Sequence, residues 1–183
     1  MQNRTPRIPE QPASNRSELQ AGITAELASA VTGARRRALR DGDRQIDTAH
    51  LLHSLVESDP EVRAAFDGGP QLAKVLGYLV QRSIGYGLRW QGTVEGSGAV
   101  HVVVEGDAAV RGTGTDGWSP SAAAAMAGAR ECAQLRGDER ARGLDLLAAL
   151  VGDPECRAVE VLGRAGVDSA ELAGRIAAAS GPG

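Results

Sequence analysis

The chain has 183 residues, 42 % of them hydrophobic but only 3 % aromatic, and a formal net charge of −3. That length permits one domain or two small ones with a buried core, and a core this poor in aromatics must be built from Ala, Leu and Val, which favours closely packed helices. An acidic chain has no net basic field to gather phosphates, which argues against generic nucleic-acid binding.

Residues 1–18 hold three prolines among polar residues without periodicity and read as a disordered lead-in. A first unit, residues 19–86, follows. Its first helix is expected from about Thr24 to Asp41, where Leu27, Val31, Ala34 and Ala38 recur at three- and four-residue spacing. Thr24 can cap its start, and Gly42 supplies a permissive residue past its end. A second helix begins near Thr48 and turns Leu51, Leu52, Leu55 and Val56 inward. Asp59 and Pro60 then provide an N-cap and an N1 proline for a short third helix. Residues 71–84 read as a fourth, apolar through Leu72, Val75, Leu76, Leu79 and Val80.

Residues 87–117 form a Gly-rich linker. Val100–Glu105 has strand composition, and the Thr- and Gly-rich turns after it predict a small β-hairpin or an irregular loop. A second unit spans residues 118–180. Ser119-Pro120 opens a helix that runs to about Arg136 before Gly137, and Leu144, Leu147, Leu150 and Val151 form the next inward face. Asp153-Pro154 restarts the chain, and Asp168 with Glu171 offers a capping box for the last helix. Residues 181–183 are a frayed tail. Cys132 and Cys156 fall within predicted helices as small hydrophobes rather than a disulfide framework. No run of about twenty apolar residues could span a bilayer, and the N-terminus has no signal-peptide core, so a reduced, cytoplasmic protein is expected.

The two units say the same thing twice. Pairing Gly33–Val56 with Gly128–Val151 repeats ten of 24 residues, among them Gly42/Gly137, Asp43/Asp138, Leu51/Leu146 and Leu55/Leu150. Asp59-Pro60-Glu61 then matches Asp153-Pro154-Glu155. Ala-rich helices match by chance, but a shared Gly-Asp breaker and a shared Asp-Pro-Glu restart do not follow from composition, so this is an internal repeat. The fold expected is all-α, in two tandem pseudo-symmetric halves.

Catalytic constellations are sparse. His50 and His53 with Glu57 stand at i, i+3 and i+7 on one helix, a spacing a metal could use, but it is not HExxH and no further strong ligand is evident. Ser54, Ser119 and Ser121 lack a nucleophile elbow, and His101 lies in the linker. There is no GxxxxGK[ST] phosphate loop. No enzymatic activity, metal or cofactor is expected.

The two-fold repeat with "GDRQIDTAHLLHSL" (residues 42–55) at its centre resembles the N-terminal domain of the Clp-type AAA+ unfoldases, the ClpC and ClpA group. The resemblance covers roughly residues 22–180 apart from the linker, and it is closer in the first repeat than in the second. That family builds two tandem four-helix repeats, and each first helix opens on an aromatic-Thr pair; here the openings are Ile23-Thr24 and Trp118-Ser119-Pro120. Its Gly-Thr-Glu-His-type turn is Asp47-Thr48-Ala49-His50 in the first repeat and Arg142-Gly143-Leu144-Asp145 in the second. The resemblance implies a non-catalytic module, here free-standing without ATPase segments, that binds Clp-system proteins and adaptor or substrate peptides, and in some members cyclic-peptide antibiotics. It implies ligand contacts at Ile23, Thr24, Thr48, Trp118 and Ser119, with the alternative that Ile23 and Trp118 merely staple helix starts. Phosphoarginine recognition in the family needs a carboxylate beside the turn histidine. This chain has Ala49 and Leu144 there, which removes the charge-assisted pair unless Asp47 or Asp43 substitutes. The role expected is an accessory, adaptor, decoy or ligand-sequestering protein of the Clp protease system. The alternative is a nucleic-acid-associated regulator using Arg35, Arg36, Arg37 and Arg40.

Overall fold

The computed structural model describes residues 21–83, 90, 93–96 and 117–181; the lead-in at 1–18 and the hairpin expected at Val100–Glu105 lie outside the described residues. Among the described residues eight helices make up two four-helix repeats: α1 (Ala25–Asp41), α2 (Thr48–Ser58), α3 (Pro60–Ala64) and α4 (Gly68–Ser83), then α5 (Pro120–Arg136), α6 (Gly143–Val151), α7 (Arg157–Arg164) and α8 (Ser169–Ala179). The all-α repeat architecture expected from the sequence is therefore present.

Matched residues do matched work at the helix ends. Thr24 Oγ1 accepts from the Leu27 N–H at 3.3 Å, and Ser119 Oγ accepts from the Ala122 N–H at 3.1 Å. These bonds satisfy donors that a helix start leaves orphaned. At the other ends, Gly42 and Gly137 close α1 and α5 in the left-handed region, at φ 73° and 81°, where a side chain would be strained.

Two boundaries differ from the sequence reading. Helix α4 begins at Gly68, because Pro70 fits a first helical turn, whose N–H groups have no intrahelical partner in any case. In the second repeat the Asp-Pro pair makes a turn instead of a helix start, and α7 begins at Arg157 with Cys156 as its N-cap. Cys156 thus sits at a helix boundary, buried, with its thiol donating to the Leu150 carbonyl at 3.3 Å.

The repeats are laced together reciprocally. Ile23, before α1, bridges to Ala141, before α6; Trp118, before α5, bridges to Ile46, before α2. The Thr24 N–H donates to the Ala141 carbonyl and the Ala141 N–H to the Gly22 carbonyl, both at 2.9 Å. Ile46 and Ser119 repeat the exchange from the other side, to Gly117 at 2.6 Å and Ile46 at 2.9 Å. Each repeat therefore opens by clasping the central turn of the other.

Helices α2 and α6 are the two core elements, packed on one another and on their own repeats. Leu52, Leu55, Leu147 and Leu150 have no exposed surface. The start of α6 presses so closely on Asp59, the cap of α3, that residue 143 has room only for hydrogen. A Cβ there would run into the Asp59 carboxylate and come within 3.1 Å of Val62 Cγ2. Gly143→Ala is expected to cost about 1–3 kcal/mol by overpacking, read as a lower denaturation midpoint with an unchanged m-value.

Candidate functional site

The turn into α2 carries the densest polar network among the described residues. Asp47 caps α2, with Oδ1 accepting from the His50 N–H at 2.9 Å. The same carboxylate accepts from both terminal nitrogens of Arg82, at the end of α4. It also accepts from Arg157 Nη1, at the start of α7, at 2.8 Å. One carboxylate, 2 % exposed, thus ties three elements of two repeats. Burial alone pushes its pKa up, but the His50 side chain and the Arg82 guanidinium outweigh burial and hold it well below the usual carboxylate range. Trp90 belongs to the same cluster: the guanidinium carbons of Arg82 and Arg157 each lie 5.2 Å from its ring centroid, within cation–π range.

A second carboxylate enters from the linker. Glu95 is 5 % exposed and sits where the repeats meet. Its Oε2 accepts from the Thr48 N–H at 2.9 Å and from Ser119 Oγ at 2.8 Å. Its Oε1 accepts from the Arg157 N–H at 2.7 Å and from Thr48 Oγ1. Thr48 Oγ1 in turn accepts from the Ala158 N–H at 3.0 Å. The first N–H groups of α2 and α7 therefore converge on one side chain. This is why α7 can begin at Cys156 without a side-chain cap of its own. Thr93 adds to the clasp, its carbonyl and hydroxyl accepting from Arg157 Nη2 at 3.1 and 2.8 Å. Beside this segment lies a cleft of about 630 Å³, lined by Asp41 to Gln45, Asp47, Trp90, Thr93, Val94 and Arg157.

Thr48 and Ser119, expected from the resemblance as ligand contacts, are thus brought together, and Glu95 joins them. Thr24 is half-buried at the α1 cap. Ile23 and Trp118, 5 % and 6 % exposed, lie in the core at the two inter-repeat bridges. Glu95, Trp90, Arg82 and Arg157 were not singled out by sequence reasoning. A lone Glu in a Gly-rich linker carries no local signal, and its partners lie 24 to 62 residues away.

The two histidines diverge. His50 faces the turn that ends α1, with Nε2 3.1 Å from Asp43 Oδ2, whereas His53 Nε2 lies 3.1 Å from Glu57 Oε1. Glu57 also pairs with Arg37 across the α1–α2 contact, while Arg35 and Arg36 are exposed. Burial and the neighbouring Arg37 push His53 down to about 4, against the opposing pull of Glu57. A histidine depressed in the fold contributes stability that is complete above its unfolded pKa, about 6.5, and is lost as pH falls through the folded value. Stability is therefore expected to decline between pH 6.5 and 4. His53→Ala, which installs the residue found at the matched position 148, should flatten that decline in guanidinium melts across pH.

No described helix is long and apolar enough to cross a membrane. No family model matches the chain, and comparison with curated proteins found no match. Solved structures do match. One is the N-terminal domain of the caseinolytic protease associated chaperone ClpD from Arabidopsis thaliana, at a TM-score of 0.56 and 18 % identity, covering 86 % of this chain and 93 % of that one. The chain has the fold of a Clp chaperone N-terminal domain.

Proposed function

We propose that the chain is a non-catalytic protein-interaction module of the Clp type, in which the groove between the repeats receives an extended segment of a partner. The partner class is a Clp-system protein, or an adaptor or substrate peptide, and the role is that of an accessory, adaptor, decoy or ligand-sequestering protein. One observation carries this reading: Thr93–Gly96, without regular structure, already lies against the groove as a peptide would, with one acidic side chain buried between Thr48, Ser119 and Arg157. Main-chain and hydroxyl donors from both repeats give such a groove orientation, while the Arg–Trp–Arg cluster gives it a charged, aromatic rim. An acidic side chain is the natural anchor, because both helix starts present donors only.

Isothermal titration of the full chain against a Clp unfoldase and against acidic and neutral substrate peptides tests the proposal. Saturable binding that persists in moderate salt and perturbs Trp90 fluorescence is the expected result. Absence of heat with every partner would overturn it. Binding of DNA that falls steeply with salt would instead favour the regulator reading based on Arg35 to Arg37.

A further inference from the structure

The turn that closes α1 gathers a second polar constellation, on the other side of Asp47. Gly42, at φ 73°, reverses the chain so that Asp41 and Asp43 on either side of it both face the start of α2. There His50 Nε2 lies 3.1 Å from Asp43 Oδ2 and 3.8 Å from Asp41 Oδ2. One ligand atom from each of the three residues falls within 4.8 Å of the others. The His50 side chain is only 2 % exposed, and Nε2 makes no hydrogen bond despite its approach to Asp43. A buried ring nitrogen held between two carboxylates without bonding to either leaves a donor site unused, which in a buried side chain is costly.

The second repeat supplies the comparison. The residue matched to Asp41 is Arg136, and its guanidinium donates to Asp138 and Asp145, the residues matched to Asp43 and His50. At that corner the chain provides its own cation. At the corresponding corner of the first repeat it provides a carboxylate instead. Two arginines also approach this corner: Arg82 donates to Asp47 and, at 3.4 Å, to Asp43 Oδ2, and Arg40 Nε lies 3.7 Å from Asp41 Oδ1.

We propose that Asp41, Asp43 and His50 form a divalent-cation site suited to zinc. Zinc holds imidazole nitrogen at about 2.0–2.1 Å and carboxylate oxygen at about 2.0–2.2 Å, which places neighbouring ligand atoms roughly 3.0–3.5 Å apart; of the two separations from Nε2, 3.1 Å falls within that range and 3.8 Å lies just beyond it. Both carboxylates line the cleft described above, which gives an ion a path in and leaves a position for water. One nitrogen and two oxygens favour a borderline cation over magnesium or calcium, which prefer oxygen alone.

Coordination needs the Nε2 lone pair, so the ring proton must sit on Nδ1. Its acceptor is in place: Asp47 Oδ1 is 3.0 Å from Nδ1, completing the carboxylate–histidine–metal arrangement that orients such ligands. The Asp47 backbone N–H, which donates to Nδ1 at 3.1 Å, gives up that bond. The proton passes from Nε2 to Nδ1 through solvent with no net change in charge.

Equilibrium dialysis of the full chain against zinc chloride is expected to load one zinc per chain. Asp41→Asn and Asp43→Asn, both on the partly exposed side of the site, should keep the helical signal and each weaken zinc binding at least about tenfold. Nitrogen-15 NMR of the imidazoles adds an independent reading: zinc should move the His50 proton from Nε2 to Nδ1. Failure to load stoichiometric zinc, zinc binding by both variants as tight as that of wild type, or zinc binding that leaves the His50 tautomer unchanged would each overturn the assignment.

Discussion

Replacing Glu95 with alanine is expected to lower stability by about 3 kcal/mol or more, although the residue belongs to a linker. The carboxylate accepts from two backbone N–H groups and two hydroxyls, all buried or partly so. A buried donor left without a partner costs about 1–3 kcal/mol, and bonds to a charged acceptor are the stronger kind. For a chain of this size the loss corresponds to a drop in melting temperature of about 6–12 °C. Glu95→Gln separates this account from a simple packing role. Each carboxylate oxygen faces a backbone N–H, Thr48 on one side and Arg157 on the other. The amide NH₂ of Gln must therefore meet a donor whichever way it turns, and the glutamine variant should lose nearly as much as the alanine variant. A glutamine variant as stable as wild type would show that shape, and not the anion, is what the cradle requires.

The second large effect is expected at Asp47. Asp47→Ala leaves the guanidinium groups of Arg82 and Arg157, 8 % and 12 % exposed, without their shared partner. Breaking a buried charge network from one side typically costs about 3–5 kcal/mol, and here it also removes the α2 cap. The sign of the pH dependence follows from the depressed pKa. Ionised Asp47 contributes stability that is complete above the unfolded value of about 3.9 and is lost as pH falls below it. Wild type should therefore show an acid limb below about pH 4, distinct from the His53 decline between pH 6.5 and 4. Asp47→Asn should lack much of that lower limb, because its stability is already reduced at pH 7.

These two carboxylates also mark what the sequence disclosed and what it did not. Apolar spacing, the paired cap residues Thr24 and Ser119 and the paired Gly42 and Gly137 were sufficient to read two helical repeats, because each acts within one turn of its own position. The contacts made by Glu95, Trp90 and Arg157 were not legible, since they depend on how the halves interlock. The same holds for the unequal turns. Histidine at position 50 and aspartate at position 145 look unrelated in sequence, yet each accepts from the backbone N–H of its own N-cap, Asp47 at 3.1 Å and Arg142 at 2.8 Å. The second repeat therefore lacks a histidine because a carboxylate does the same capping work, with Arg136 in place of Asp41 to balance its charge. Pairing the aligned positions as charge exchanges, and not only as identities, would have exposed that relation.

Gly143 and Thr48 follow the same logic. Both open a central helix, but Gly143 is forced small by Asp59 and Val62, whereas Thr48 spends its hydroxyl on Glu95 and Ala158. Repeat symmetry sets the frame, and departures from it concentrate where the linker segment enters.

The most direct measurement is complementation in trans. A peptide copying Trp90–Gly96 is titrated into the full-length Glu95→Ala chain while its thermal unfolding is followed, beside the same peptide carrying alanine at the glutamate. If the groove between the repeats accepts an acidic extended segment, the first peptide should raise the melting temperature in a saturable manner, by the ordinary linkage of binding to stability, and the second should not. No rise at millimolar peptide, or an equal rise with both peptides, would contradict the claim that this groove is a binding site for such a segment.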